Sequence, residues 1–308
     1  MAALSFINCD LKRKMQINYL DNFIDNALNE DIGDGDHTSR ACIPADAIGK
    51  AQLHVKDQGV ISGIDVAWHI LRKVDKDIIF EKFKNDGDLV APPDIAFIVE
   101  GKIRALLKAE RLVLNVMQRM SGIATTTRKY TDRLEGLKTK ILDTRKTTPG
   151  MRMLEKLAVK TGGGQNHRFG LFDMILIKDN HIDFAGGIAA AIERTHEYLS
   201  EHKKDLKIEI EARSLEDVRM IMDKGGIDRI MLDNFSIDDT RMAVHLINGR
   251  FETESSGGIT FDNIRDYAAC GVDYISVGAL THHIKSLDLS LKALNYKPDE
   301  FGPSRLYL

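Results

Sequence analysis

Between Asp143 and Asn180 the chain places seven basic residues (Arg145, Lys146, Arg152, Lys156, Lys160, Arg168, Lys178) among four acids (Asp143, Glu155, Asp173, Asp179). That stretch is locally +3, whereas the whole 308-residue chain, with 43 Lys+Arg and 46 Asp+Glu, is −3. Such a segment suits a small, multiply anionic ligand, because guanidinium forks bind carboxylates through paired hydrogen bonds. Arg168 follows His167 directly after Gly162-Gly163-Gly164-Gln165-Asn166, so the two could form a carboxylate fork. A flexible helix terminator is the plainer reading of three consecutive glycines.

Acids follow downstream. Glu209 and Glu211 are spaced to share one face of a strand, and Asp233 ends a later apolar run. Inward carboxylates are expensive unless they meet cations; these would suit a metal or a developing positive charge. Two loops complete the set. Ser256-Gly257-Gly258 leads toward a helix expected near Thr260, and Val277-Gly278-Ala279 follows the last β-like run. Amides in such loops at a helix N-terminus can bind phosphate, although a tight turn explains Gly257 and Gly258 equally well. Any one charged residue at a strand end is usually just a solvated boundary. Unlike charges gathered on one rim point to a site.

The elements that must position these residues alternate. β-like runs at Thr139–Lys146, Asp173–Lys178, Lys207–Ala212, Arg229–Asn234, Arg250–Ser255 and Tyr274–Gly278 are separated by amphipathic helical runs, with Gly162, Gly225, Gly249 and Gly271 marking helix ends. Strand–helix alternation predicts a parallel sheet. No G-x-G-x-x-G follows the first strand, so a barrel-like closure is favoured over a dinucleotide-binding sheet. Six units fall short of eight, so the predicted fold class is α/β with an incomplete (β/α) barrel. Its chemistry belongs at the C-terminal strand ends, where the residues above fall.

The first 135 residues lack that alternation. Ala51–Val55, Ile78–Phe83 and Ile95–Val99 read as strands, with helical patterns over Gln16–Asn29 and Arg104–Met120. The expected organisation is a separate N-terminal α+β domain over 1–135, a partial barrel over 136–285, and a tail over 286–308 packing back on the N-terminal domain.

Composition excludes other classes. The charge balance argues against a dedicated nucleic-acid binder, and the chain has no apolar run near the ~20 residues of a membrane span. The N-terminus, with Lys12, Arg13 and Lys14 after a short apolar stretch, does not read as a signal peptide. Cys9, Cys42 and Cys270 are too scattered for a disulfide framework. A cytoplasmic protein with reduced thiols is expected.

The strings AERLVLNVMQRMSGIATTT, ILDTRKTTPGMRMLEKLAVKTGGGQNHRFGLFDMILIKDNH, IEIEARS, IMLDNF, ESSGGIT and GVDYISVGALTH resemble the quinolinate phosphoribosyltransferase family. The resemblance runs from about Glu30 to Leu280. It implies transfer of phosphoribosyl from phosphoribosyl pyrophosphate (PRPP) to the ring nitrogen of quinolinate, loss of the 2-carboxylate as CO2, and formation of nicotinate mononucleotide for NAD synthesis, with Mg2+ accompanying the pyrophosphate. By position in those motifs, Arg145, His167, Arg168 and Lys178 would hold quinolinate, with Thr144 and Lys146 beside them. Arg111 would enter from a neighbouring subunit, making a homodimer, or a ring of dimers, the active assembly. Glu211 and Asp233 would face the ribose and magnesium, the latter through water. Ser256, Gly257, Gly258, Val277, Gly278 and Ala279 would cradle the 5′-phosphate. Lys146, Glu211 and Asp233 would be the catalytic set.

Chemistry supports that division. Quinolinate is a dianion and needs fixed cations; pyrophosphate departure leaves positive character on the ribose, which carboxylates stabilise. The alkylated ring nitrogen is itself an electron sink for CO2 loss, so no general base is obligatory. Two departures stand out: Gly87–Asp94 carries two prolines where the family has a Gly-containing turn, and Ala212-Arg213 replaces its acidic follow-on. Arg40, after Asp34-Gly35-Asp36-His37-Thr38, could approach a neighbour's pocket or sit solvated. The competing functions are a pyrophosphorylase for another base, a Schiff-base lyase using Lys178, and a non-catalytic metabolite binder. The cationic set favours a diacid acceptor.

Overall fold

Period-2 and period-3.6 patterns separate the chain into two units. The computed structural model describes residues 18–294, within which residues 18–122 and 285–294 form one unit and 123–284 the other. The division falls inside the helix that runs from Ile103 to Arg133.

The first unit begins with α1 (residues 18–32) and α2 (His37–Cys42), the latter capped by Asp36, whose carboxylate accepts from Ser39 N at 2.9 Å. Residues 16 and 17 of the expected first helix lie outside the described residues. Next come β1 (Ile48–Val55), β2 (Gly59–Val60), α3 (Ile64–Val74), β3 (Ile79–Lys82), β4 (Leu89–Val90), β5 (Ile95–Lys102) and α4 (Ile103–Arg133). In β1 Ala51, Leu53 and Val55 are buried and alternate with more exposed neighbours, the mark of a sheet with one face on a core. The four-stranded antiparallel sheet has the order β12-β1-β5-β3, in which β12 is Leu289–Leu294. Leu53 stands opposite both Phe97 and Leu291. The tail thus supplies an edge strand of this unit, a pairing that no local pattern shows. Short β2 and β4, and helix α3, are likewise additions to the sequence reading.

In the second unit the alternation is β6 (Lys140–Leu142), α5 (Arg152–Thr161), β7 (Ile175–Ile177), α6 (Asp179–Ala185), α7 (Ile188–Glu201), β8 (Ile208–Ala212), α8 (Leu215–Lys224), β9 (Arg229–Asp233), α9 (Ile237–Ile247), β10 (Glu252–Ser256), α10 (Ile264–Ala269), β11 (Tyr274–Ser276) and α11 (Ala279–His282). Every β-like run of the sequence contributes a strand. Ser214 and Ser236 cap α8 and α9 by accepting from Asp217 N and Asp239 N, each at 3.1 Å.

The six strands are parallel and ordered β6-β11-β10-β9-β8-β7. The first two strands therefore lie at opposite edges, and a single bridge from Leu142 to Gln165 stands beside β6. Ladders define an open six-stranded sheet. Ile208, Ile210 and Ala212 take one face of β8 and Glu209 and Glu211 the other, all buried. Gly162 closes α5 where no side chain fits: a Cβ there would lie 2.5 Å from Ala124 O on α4.

Candidate active site

A cavity of about 520 Å³ opens at the C-terminal ends of the parallel strands, lined from every strand. Its walls hold Thr144, Arg145 and Lys146 after β6, His167 and Arg168 before β7, Lys178 and Asp179 after β7, Glu211 on β8, Asp233 and Asn234 at the end of β9, Ser256, Gly257 and Gly258 at the end of β10, and Ser276 on β11. Parallel strands that all end on one rim deliver these residues from far apart in sequence.

The cationic wall is anchored from beneath. Asp143, fully buried, accepts from Lys156 Nζ, from Asn166 Nδ2 at 2.6 Å and from His167 N at 2.9 Å. One carboxylate thereby ties the loop carrying Arg145 and Lys146 to the segment carrying Arg168. Burial raises the Asp143 carboxyl and lowers the Lys156 ammonium. Arg152 bridges Thr147 Oγ1 (3.0 Å) and Phe169 O (3.1 Å). Of the seven basic residues counted in sequence, four line the cavity: Arg145, Lys146, Arg168 and Lys178. Arg168 is lowered by burial and by Arg145 beside it, as expected where like charges are held together awaiting anions.

Acids form the facing wall. Glu211 is buried and accepts from Lys178 Nζ at 2.6 Å and from Asp179 N at 3.0 Å. Lys178 paired to an acid is poorly set up as a nucleophilic amine, and nothing else supports the lyase reading. The Asp233 carboxyl is raised by burial and by the neighbouring Glu211 charge. Asn234, at φ +57°, donates to Asp233 Oδ2 at 2.8 Å, and its backbone N–H donates to Ser256 O at 2.8 Å. Gly257, at φ +84°, must be glycine here, since a Cβ would stand 2.2 Å from Asn234 Oδ1.

Below the cavity lies a layer the sequence reading did not assemble. His167 Nε2 is 3.0 Å from Glu209 Oε2 and 3.6 Å from Glu254 Oε1. Neither approach makes a hydrogen bond, and burial lowers the His167 imidazole. Arg229 Nη1 reaches Glu254 at 2.8 Å and Glu209 at 4.0 Å, its Nη2 reaches Glu252 at 3.1 Å, and its guanidinium stacks 4.0 Å from the Tyr274 ring. Burial pushes Glu209 up to about 7 and, with Glu209 beside it, Glu254 up to about 8. His167, Glu209 and Glu254 are donors of the kind that hold metals, but Arg229 already supplies their cation.

His167 and Arg168 both line the cavity, with His167 Nε2 near Glu209 and its Nδ1 accepting from Arg168 N at 2.7 Å. Several expectations need correction. The residue that β11 offers to the cavity is Ser276, whereas Val277 is buried at 2% exposure, as strand alternation requires. Gly278 and Ala279 are also absent from the lining; Gly278 lies beside Lys146, whose Cδ would be 3.2 Å from an added Cβ. The helix after Ser256–Gly258 starts at Ile264, not near Thr260, because Asn263 Oδ1 accepts from Thr260 N at 2.7 Å and makes a turn first. Ser256–Gly258 therefore lead into a turn, whereas Gly278 stands at the start of α11. Arg111 is exposed on α4 in the first unit. Arg40 donates to its own loop, at Asp34 O, 3.3 Å.

Sequence reasoning found Asp143, Asn234 and Glu254 at strand ends without giving them a role, and missed Ser276 and Arg229. The signal for Arg229 was the cost of the inward Glu209, which demanded a cation.

Comparison with known proteins places these features. The family description "Quinolinate phosphoribosyl transferase, N-terminal domain" matches residues 36–121, and "Quinolinate phosphoribosyl transferase, C-terminal domain" matches residues 123–292. The chain is 44% identical over 298 residues, 92% of this chain and 82% of the relative, to quinolinate phosphoribosyltransferase [decarboxylating] 2b, mitochondrial, of Nicotiana tabacum. It is 42% identical over 262 residues, 85% of this chain and 89% of the relative, to a probable nicotinate-nucleotide pyrophosphorylase [carboxylating] of Bacillus subtilis (strain 168). Among solved structures, NadC from Streptococcus pyogenes superposes with TM-score 0.83 at 37% identity, covering 90% of this chain and 97% of that one.

Proposed function

The chain belongs to the quinolinate phosphoribosyltransferase family, and from that premise we propose how its own cavity carries out phosphoribosyl transfer from PRPP to quinolinate with decarboxylation. The observation that carries this reading is the facing of two walls in one cavity, Arg145, Lys146, Arg168 and Lys178 opposite Glu211 and Asp233.

Four cations give a dianion the charge it needs on leaving water, and nicotinate, with one carboxylate, would leave some of them unpaired. Thr144 holds the Arg145–Lys146 turn by accepting from Lys146 N at 3.0 Å. The quinolinate nitrogen attacks C1′ of PRPP as the bond to pyrophosphate breaks and its electron pair leaves with the pyrophosphate. Glu211 and Asp233 stabilise the positive character that appears on the ribose, and Lys146 stands where departing negative charge accumulates. The C2–carboxylate bond then breaks toward the ring, whose alkylated nitrogen accepts the electrons, and C2 takes a proton from solvent. Ser256–Gly258 hold the 5′-phosphate, helped by Val277, Gly278 and Ala279, of which Gly278 lies beside Lys146.

The same two carboxylates fit magnesium. They are hard oxygen donors, and the upward shift of Asp233 beside Glu211 marks an excess of negative charge that a cation relieves. When bound, Mg2+ would neutralise pyrophosphate, with Glu211 and Asp233 holding it through water.

Arg111, exposed on α4, is assigned to a second subunit's cavity in a homodimer or a ring of dimers. Cytoplasmic location is supported by the free thiols of Cys42 and Cys270. Among the described residues no helix is long and apolar enough to cross a membrane.

The experiment is PRPP- and magnesium-dependent release of labelled CO2 from quinolinate labelled at the 2-carboxylate. Release without PRPP, or binding of both substrates without release, would overturn the reading. Mixing an inactive Arg111→Ala chain with an inactive Lys146→Ala chain should restore activity if the cavity is shared between subunits.

A further inference from the structure

Three of the seven basic residues between Asp143 and Asn180 stand outside the cavity lining. Two of them, Arg152 and Lys156, lie four apart on α5 and so share one face of that helix. Each reaches two segments of the chain at once. Lys156 Nζ donates to the Asp143 carboxylate and to His167 O, the latter at 3.1 Å. Arg152 Nε donates to Thr147 Oγ1 at 3.0 Å, and its Nη1 donates to Phe169 O at 3.1 Å.

The order of these contacts along the chain matters. Asp143 and Thr147 bracket Thr144, Arg145 and Lys146, and His167 and Phe169 bracket Arg168. Lys156 thus joins the first ends of the two segments and Arg152 joins the second ends. Their like-charged residues oppose such closeness. Arg145 depresses the pKa of the Arg168 guanidinium beside it, so the two repel until an anion arrives. A tie that does not depend on the ligand must hold them. Asn166 adds to it below, donating to Asp143 Oδ2 at 2.6 Å and to Lys156 O at 2.9 Å.

Resting on the functional reading above, we propose that Lys156 and Arg152 are positioning residues: they form two rungs between the Asp143–Thr147 and His167–Phe169 segments, and those rungs set the spacing at which Arg145 and Arg168 meet the carboxylates of one quinolinate. Neither rung touches the substrate. The lower rung grips His167 only by its backbone, which leaves the side chain at the cavity edge. Lys156 is buried, and its pairing with Asp143 makes that rung rigid. Small errors in such spacing weaken the binding of a ligand held at two points.

Arg152→Ala is the informative variant, because Arg152 is partly exposed and its removal leaves the buried Asp143–Lys156 pair whole. The quinolinate KM should rise about ten-fold, the worth of one hydrogen bond to a charged group, with the PRPP KM unchanged. Arg152→Lys keeps a cation at the same rung and should recover part of the loss. The lower rung is tested by Asp143→Asn combined with Lys156→Met, which strands neither charge and should act on the same KM. A double-mutant cycle separates positioning from mere stabilisation. Spacing has no meaning once one guanidinium is gone, so Arg152→Ala should cost less in an Arg168→Ala chain than alone. Full additivity, equal rises in both KM values, or a lowered urea midpoint with both KM values at the parent level would overturn the proposal. A parent chain that binds no quinolinate in calorimetry would overturn the functional reading and this inference with it. A parent that binds and converts quinolinate, beside variants with its KM, would overturn this inference alone.

Discussion

Two layers of the parallel sheet use the same residue types to opposite ends. In the layer under the cavity, Asp143, Lys156, Glu209 and Glu254 are buried, Asp143 paired with Lys156 and the two glutamates with the partly buried Arg229. One step higher, at the rim, Arg145, Lys146 and Lys178 are exposed and converge on a cavity. Buried charge is costly until it is partnered, and once partnered it is rigid. Exposed charge is cheap to hold and available to a ligand. The lower layer therefore fixes positions and the upper layer binds. Each substitution below asks whether that division holds.

The largest effect is expected from Arg229→Met. It would leave Glu209 and Glu254 together without their guanidinium, and stability in urea should fall by an amount that grows as the two carboxyls ionise with rising pH, toward the about 3–5 kcal/mol of a buried charge that loses its partner. Activity of whatever remains folded should survive. If Arg229→Met instead spared stability and abolished turnover, the lower layer would be catalytic and the comparison would collapse.

At the rim the prediction reverses. Arg145→Ala and Arg168→Ala should leave the urea midpoint of the Arg145 variant close to that of the parent while weakening quinolinate binding by about 2–3 kcal/mol, because each removes charge-assisted hydrogen bonds to a carboxylate. PRPP affinity, measured by calorimetry, should change little. Equal losses for both ligands would mean that the two walls of the cavity do not divide the substrates. Arg168 sits on the boundary between layers, half-buried and donating to Met174 O at 3.3 Å, so its variant should also lose some stability.

Sequence showed the upper layer better than the lower for a physical reason. Strand ends are local features, found by reading where an apolar run stops, and all six runs from Thr139 to Gly278 became strands. Partners across strands depend on sheet order and register. Glu209 could be seen to need a cation, but that Arg229 meets it follows only once β8 and β9 pair with Glu209 opposite Arg229. The same limit hid the pairing of β12 with β1 in the first unit. Ser276, the last residue of β11, reaches the cavity, whereas the reading had taken up only the loop that follows it.

The pH dependence of stability sharpens the comparison further. Burial and the nearby Glu209 hold the Glu254 carboxyl up to about 8, against 4.5 for an ordinary glutamate. The folded state thus keeps a proton that the unfolded chain releases. Its contribution is fully present below about pH 4.5 and is lost as pH rises toward 8, with a slope of at most about 1.4 kcal/mol per pH unit for one proton. Glu254→Gln should flatten stability measured by urea titration across that window. A slope of the opposite sign would show that Glu254 is ionised and held by Arg229 throughout.

The smallest effect should come from an ion pair that belongs to neither layer. Arg213 reaches Asp183 at 3.0 Å, with both side chains about half exposed, at 47% and 57%. Water competes for both groups, and ordering two long side chains opposes what attraction remains. By the family resemblance, Ala212-Arg213 stands where an acidic follow-on to Glu211 is expected, so a role in ribose contact would show as an altered PRPP KM in Arg213→Ala. Its guanidinium is instead occupied by Asp183 and lies outside the cavity lining. The expected result is no measurable shift in urea midpoint, quinolinate KM or PRPP KM. A raised PRPP KM alone would extend the binding layer outward to Arg213 and show that exposure marks availability to ligand even where a salt bridge is already formed.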